Sequence, residues 1–222
     1  MKKKSIALTL TAVMLALAVG IGGTIAYFTS TTDEVKNTFT TGNVGIKLDE
    51  AEVTKDGDTW TAGNNRVKEN KYETVYPGAI LPKDPTIHVN ANSQEAYVAM
   101  KVVVTKANEW KTALAAKHIQ LADVVKGHDE TKWARVGDVK FDNVNDTATY
   151  FYMYKTTVKA GDDCKLFEQV VIPAAFDNTE MTAINGENGE GFTITATGYA
   201  IQAQGVNAET AKDGLLELAG LK

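Results

Sequence analysis

A single cysteine stands in 222 residues, so no intrachain disulfide can form and no paired-cysteine zinc or redox framework is available. Histidine is nearly as scarce. His88, His118 and His128 are the three, and none has the H-E-x-x-H spacing that sets two imidazoles one helical turn apart with a glutamate beside the first. His88 falls in an expected strand, His118 on the apolar stripe of an expected helix and His128 in a polar loop. Each reads as structural or surface before it reads as a ligand. There is no G-x-S-x-G turn. The glycine-rich loop Gly186-Glu187-Asn188-Gly189-Glu190-Gly191 carries acids that would repel a phosphate. No catalytic residue, metal ligand or cofactor is therefore nominated. The loop carboxylates, Asp162-Asp163 and Glu187 with Glu190, read as solvated turns, with weak calcium binding as the sharper alternative.

Positive charge is also in short supply. Lys and Arg number 23 against 28 Asp and Glu, a net charge of −5. Lys2, Lys3 and Lys4 sit ahead of every acid, the first of which is Asp33, so the rest of the chain is more acidic still. Such a body lacks the clustered cations that neutralise phosphates, which excludes nucleic acid as a partner.

What the sequence does have begins at its amino terminus. Lys2-Lys3-Lys4 precedes an uncharged run over residues 6–25, IALTLTAVMLALAVGIGGTI. A basic start, an apolar stretch and a small-residue exit describe a secretory signal peptide. Thr24-Ile25-Ala26 supplies small residues at the −3 and −1 positions, which places cleavage between Ala26 and Tyr27. A retained membrane helix is the competing reading, since about 20 apolar residues span a bilayer. Gly20, Gly22 and Gly23 interrupt that helix, and no basic stop-transfer cluster follows. Residues 1–26 are thus expected to leave, and the membrane is touched only through the uncleaved peptide. The protein is expected outside a bacterial cell. Cys164 would then be a lone external thiol, either a small buried strand residue or an intermolecular bridge.

The remainder reads mostly as β. Residues 43–53, NVGIKLDEAEV, alternate with period two. Residues 54–71 are polar with Asp-Gly and Gly-Asn-Asn turn signals, an exposed loop or hairpin. Strands are expected at 86–90, 96–105, 149–158, 165–172 and 192–204, with a hairpin at 133–141 around Gly137-Asp138. Gly198 is a candidate bulge, because the apolar phase slips there. Tyr150, Tyr152 and Tyr154 share one face, as a cross-strand aromatic ladder or as a platform for a sugar or partner. Residues 108–126 place Trp110, Leu114, His118, Leu121 and Val125 at helical spacing, an insertion in the β framework. Residues 206–218 form a short helix capped by Asn207. The fold class expected is all-β, an antiparallel jelly roll or β-sandwich with a helical insertion and a short C-terminal helix.

Several short motifs occur in a telling order. Gly22-Gly23-Thr24-Ile25-Ala26-Tyr27-Phe28-Thr29 leads to Asn37-Thr38-Phe39-Thr40-Thr41-Gly42-Asn43-Val44. Tyr76-Pro77-Gly78, Asn90 and Ala96-Tyr97-Val98 follow, then Tyr152 to Tyr154, Ala160-Gly161-Asp162, Leu166-Phe167 and Ala200-Ile201-Gln202-Ala203. Taken together they resemble the TasA/camelysin family, exported through a dedicated signal peptidase of the SipW type. The resemblance implies a jelly-roll subunit of extracellular biofilm-matrix fibres, in which the mature N-terminus of one subunit completes the sheet of the next. Its partners would be other copies of itself, head to tail, and that peptidase. Some relatives carry a metalloendopeptidase label; the missing H-E-x-x-H spacing counts against an enzyme here.

The residues support the fibre reading on their own. Residues 27–40, YFTSTTDEVKNTFT, contain strand formers and neither Gly nor Pro. Freed by cleavage, such a segment can add to an exposed sheet edge, or fold back on its own subunit. The expected division is signal peptide 1–26, donor strand within 27–42 and β-domain 43–222. The assembly strand is expected to use Tyr27, Phe28, Thr29, Val35 and Phe39. Surface peptidase and monomeric binding module are the alternatives.

Overall fold

A computed structural model describes residues 43–186 and 189–222 in full and residues 29–31 by their backbone. In chain order the strands and helices begin with β1 (Thr29–Thr31), β2 (Ile46–Asp56), β3 (Thr59–Val67), β4 (Ile80–Pro82), β5 (Thr86–Val89), β6 (Ala96–Thr105), α1 (Ala107–Ala116) and α2 (Leu121–Val124). They continue with β7 (Val125–Lys126), β8 (Trp133–Arg135), β9 (Lys140–Asp142), β10 (Thr147–Tyr154), β11 (Asp163–Lys165), β12 (Gln169–Val171), α3 (Asn178–Asn185), β13 (Ile194–Gln202) and α4 (Ala208–Leu218). The described residues are mostly β, in several antiparallel sheets. One sheet runs β1-β13-β6-β10-β8, with β9 also on β10; a second runs β11-β5-β2-β3; a third runs β4-β12-β7.

The alternation in β6 explains the layering. Ala96, Val98, Met100 and Val102 are buried on one face, in a core shared with Ile46, Ile87 and Val89 of the second sheet. The opposite face carries Ala99, beside Phe151, Met153, Tyr199 and Ile201, and is covered by Ala211 and Leu215 of α4. The central strands are therefore buried on both sides, which is what blurs their period-two pattern.

That double burial corrects the bulge expected at Gly198. The β13–β6 register is unbroken from Ile194 opposite Val104 to Gln202 opposite Ala96. Gly198 is instead a point of close approach: a Cβ there would lie 3.2 Å from Ile87 Cδ1. A register shift lies elsewhere among the described residues, between Ala51 and Val53 of the β2–β3 hairpin that residues 54–71 help build.

Two further expectations are revised. The helix over 108–126 is two helices, because His118 takes a left-handed backbone (φ 55°) and is exposed. Nor does Gly137-Asp138 reverse the chain. β8 and β9 both pair with β10, along Tyr152 to Tyr154 and Thr147 to Thr149, so they form one interrupted strand along a single edge. The reversal comes at 143–146, where Asp142 accepts from the Val144 and Asn145 backbone N–H groups. Helix α3 was not expected. A capping box starts it, with Asp177 accepting from the Thr179 N–H and Glu180 accepting from the Asp177 N–H. Lys117, at the end of α1, pairs with both acids at 3.0 and 3.1 Å. The C-terminal helix has the cap expected of it: Asn207 accepts from the Thr210 N–H at 2.9 Å. Among the described residues no helix is long and apolar enough to cross a membrane.

Candidate assembly edge

The residue of the expected assembly strand that lies among those described is Thr29. It opens β1, which pairs antiparallel with β13: Thr29 opposite Ile201, Ser30 opposite Ala200 and Thr31 opposite Tyr199. Ala26, Tyr27, Phe28, Val35 and Phe39 lie outside the described residues. So do Glu187, the rest of the expected signal peptide over residues 1–25, and the motif at 37–42. Within this chain Thr29–Thr31 thus takes the fold-back position, on the outer edge of its own β13.

β13 is packed firmly on both faces. Ala200 is fully buried in the main core, and Tyr199 and Ile201 are buried beneath α4. Gly214 lets that helix come close, because a Cβ at 214 would sit 2.7 Å from Ile201 Cδ1. Tyr199 also lies under the Lys101 ammonium, 5.7 Å from its ring centre, and Lys101 Nζ donates to the Ala219 carbonyl at the end of the helix. The edge is longer than its partner. Among the described residues, β1 covers Tyr199 to Ile201, while β13 extends back to Ile194. An edge of unpaired N–H and C=O groups is a template for a further strand.

The other candidate residues are placed as follows. Tyr150, Tyr152 and Tyr154 share a face as expected, and it is the core-facing one. Tyr154 stacks edge-on against Trp133, its register partner, at 5.1 Å, a cross-strand aromatic contact of the kind expected, while Tyr150 and Tyr152 line a cleft. Cys164 is 1 % exposed in β11, opposite Ile87, and burial pushes its thiol up to about 12. Asp162 closes the turn into β11, accepting from the Lys159 N–H at 2.8 Å, and Asp163 opens that strand, opposite His88. Among the described residues no group of three or more His, Cys, Asp or Glu is placed to hold a metal ion.

Sequence reading missed one polar cluster. His88 points both ring nitrogens at carboxylates, Nε2 at Asp49 (2.8 Å) and Nδ1 at Asp163 (2.6 Å). Arg66 holds Asp49 at 2.7 Å and Asp84 at 2.6 Å, and Lys47 reaches Asp49 at 2.7 Å. Four segments far apart in sequence supply these groups, so no local spacing could have announced them. His128 is also structural: its Nδ1 lies 3.0 Å from the Leu166 carbonyl, to which it donates.

No protein-family model, no curated protein and no solved structure matches the chain.

Proposed function

We propose that this chain is a secreted structural subunit that polymerises head to tail into extracellular fibres, by donating the strand freed after Ala26 to the β13 edge of the next copy. The observation that supports this reading is the β1–β13 pairing. It puts the third residue of the expected mature chain on a sheet edge, in antiparallel register. Pairing in cis and pairing in trans use the same main-chain groups, so exchange between copies is a domain swap at low cost. Residues 32–42 would be the hinge; eleven residues reach at most about 36 Å when extended. Each ladder hydrogen bond contributes about 1 kcal/mol net, so a strand that ran further along β13 than Thr31 would hold more firmly than three residues do. The six-stranded and four-stranded sheets facing each other across one core support a jelly-roll arrangement for the subunit.

The test is light scattering on chains that begin at Tyr27 and at Glu34, in the same buffer. The first is expected to polymerise and the second to remain monomeric with its sheets intact by circular dichroism. Equal polymerisation of the two would overturn donor-strand assembly.

A further inference from the structure

A second feature of the molecule is a cleft of about 1170 Å³ beneath α1 and α2. Its floor is the inward face of the large sheet: Val102 and Val104 of β6, Tyr150 and Tyr152 of β10, and Ile194 of β13. Its roof brings Trp110, Leu114 and Ile119. Trp110 meets Phe192 edge-on at 4.9 Å, and its buried indole N–H has no partner among the described residues.

Charge around this cleft is opposite to that of the chain. Lys111, Lys126, Arg135 and Lys155 line it against one carboxylate, Glu130, in a chain of net charge −5. Lys126 is engaged by Asp123 at 3.5 Å, and Lys155 donates to the Glu130 carbonyl at 2.5 Å. Arg135 makes no ion pair with any described residue. It stands opposite Tyr152 across the β8–β10 ladder, close enough for its charge to act on the Tyr150 and Tyr152 hydroxyls. Burial pushes both hydroxyls up, so both remain proton donors at neutral pH.

The walls decide what class of occupant fits. The floor is side chains on the face of a sheet, and the terminal strands that reach the cleft, β7 and β8, are two and three residues long, so they offer little main-chain ladder. A peptide laid there would leave its own N–H and C=O groups unsatisfied, at a cost that an aliphatic chain does not incur. Pockets of this kind, apolar with a few convergent polar groups, hold small molecules, and an apolar floor beside a cationic rim matches one with an alkyl chain and an anionic head. We infer that this cleft binds a single-chain anionic amphiphile of the fatty-acid class, with its carboxylate at Arg135 and the Tyr150 and Tyr152 hydroxyls, and its alkyl chain among Trp110, Leu114, Phe192 and Ile194.

The test uses 9,10-dibromostearate, whose bromines quench nearby indoles, added to the full chain below its micelle-forming concentration. Trp110 and Trp133 line the cleft and report on it locally. Saturable quenching at one equivalent is expected. Arg135→Gln, an exposed position, should weaken binding about tenfold through loss of a charge-assisted contact. The methyl ester of the same acid should weaken it similarly, and Leu114→Trp should abolish it by filling the cleft. Quenching that does not saturate, or that Arg135→Gln and the methyl ester leave unchanged, would overturn the assignment. Tighter displacement of the probe by a peptide of residues 32–40 would overturn it too, because the cleft would then belong to the chain's own N-terminal segment.

Discussion

His88 Nε2 stands 2.8 Å from Asp49 Oδ1, and it ties β5 to β2 beneath the Arg66 guanidinium, whose Nε is 2.7 Å from the same oxygen. Asp49 is 3 % exposed. Burial alone would raise its carboxyl, but bonds from Lys47, Arg66 and His88 outweigh that and hold it below the usual carboxylate value. A depressed folded value means the stabilisation is present above the unfolded value of about 3.9 and is lost as pH falls through the folded one. Asp49→Asn should therefore lower unfolding free energy by about 2 kcal/mol at pH 7, since Arg66 keeps Asp84 but His88 loses its inner partner. Urea titrations at pH 7 and pH 3 check this. The gap between wild type and variant should narrow at the lower pH.

His88 itself is expected to tolerate Gln poorly. Both ring nitrogens face carboxylates, and only the doubly protonated ring donates to both. His88→Gln should cost about 1 kcal/mol or more, whereas His118→Gln, at an exposed position, should cost nothing measurable. Thermal unfolding of the two variants separates them.

Cys164 should behave as an inert core residue. Burial, and the nearby Asp162 and Asp163 charges, hold its thiol up at about 12, so almost no thiolate exists at pH 8. An aromatic disulfide reagent should label the native protein only as fast as it unfolds, and label it at once in 6 M guanidinium, a roughly standard denaturing dose. Rapid labelling without denaturant would place the thiol at the surface.

Gly198→Val should destabilise by about 2–3 kcal/mol through overpacking. The new methyls would enter space already held by Ile87 and Ile46, 3.2 and 3.4 Å from the Cβ position. Chemical denaturation measures the loss. A neutral result would mean that the two sheets are not as close at this point as Gly198 requires.

Gly198 also shows how far the sequence could be read. A phase slip was visible at 198–201, but a slip has the same appearance whether a bulge shifts the strand or a helix buries its second face. Only the position of α4 over Tyr199 and Ile201 decides between them. The strands at 43–53 and 86–90 were legible because one of their faces is clearly apolar, that at 96–105 because its apolar run is set off by a polar turn, and the α4 cap because Asn207 is local to it. Helix α3 was hidden in a stretch of low hydrophobicity, although Asp177 and Glu180 had the spacing of a capping box. The break at His118 was hidden because nothing in the local pattern calls for a left-handed residue there. The β1–β13 pairing was half legible: residues 27–40 have a strand-forming composition, but the strand that Thr29–Thr31 meets could not be read. β13 becomes an edge only through the order of strands in the sheet, and no single stretch of sequence contains that order.

Whether β1 is exchanged between copies is settled most directly by covalent trapping. Ser30 and Ala200 are register partners, and directly opposed residues in an antiparallel pair lie about 4.5–5.5 Å apart at Cα, within disulfide reach. One chain carries Ser30→Cys, a second carries Ala200→Cys, and the two are mixed as mature proteins and oxidised. Strand donation predicts a disulfide-linked pair of the two different chains on a non-reducing gel, and a ladder of higher species from the double variant. If the mixture stays unlinked while the double variant closes a bond within single chains only, the strand serves its own subunit and the protein does not assemble by donating it.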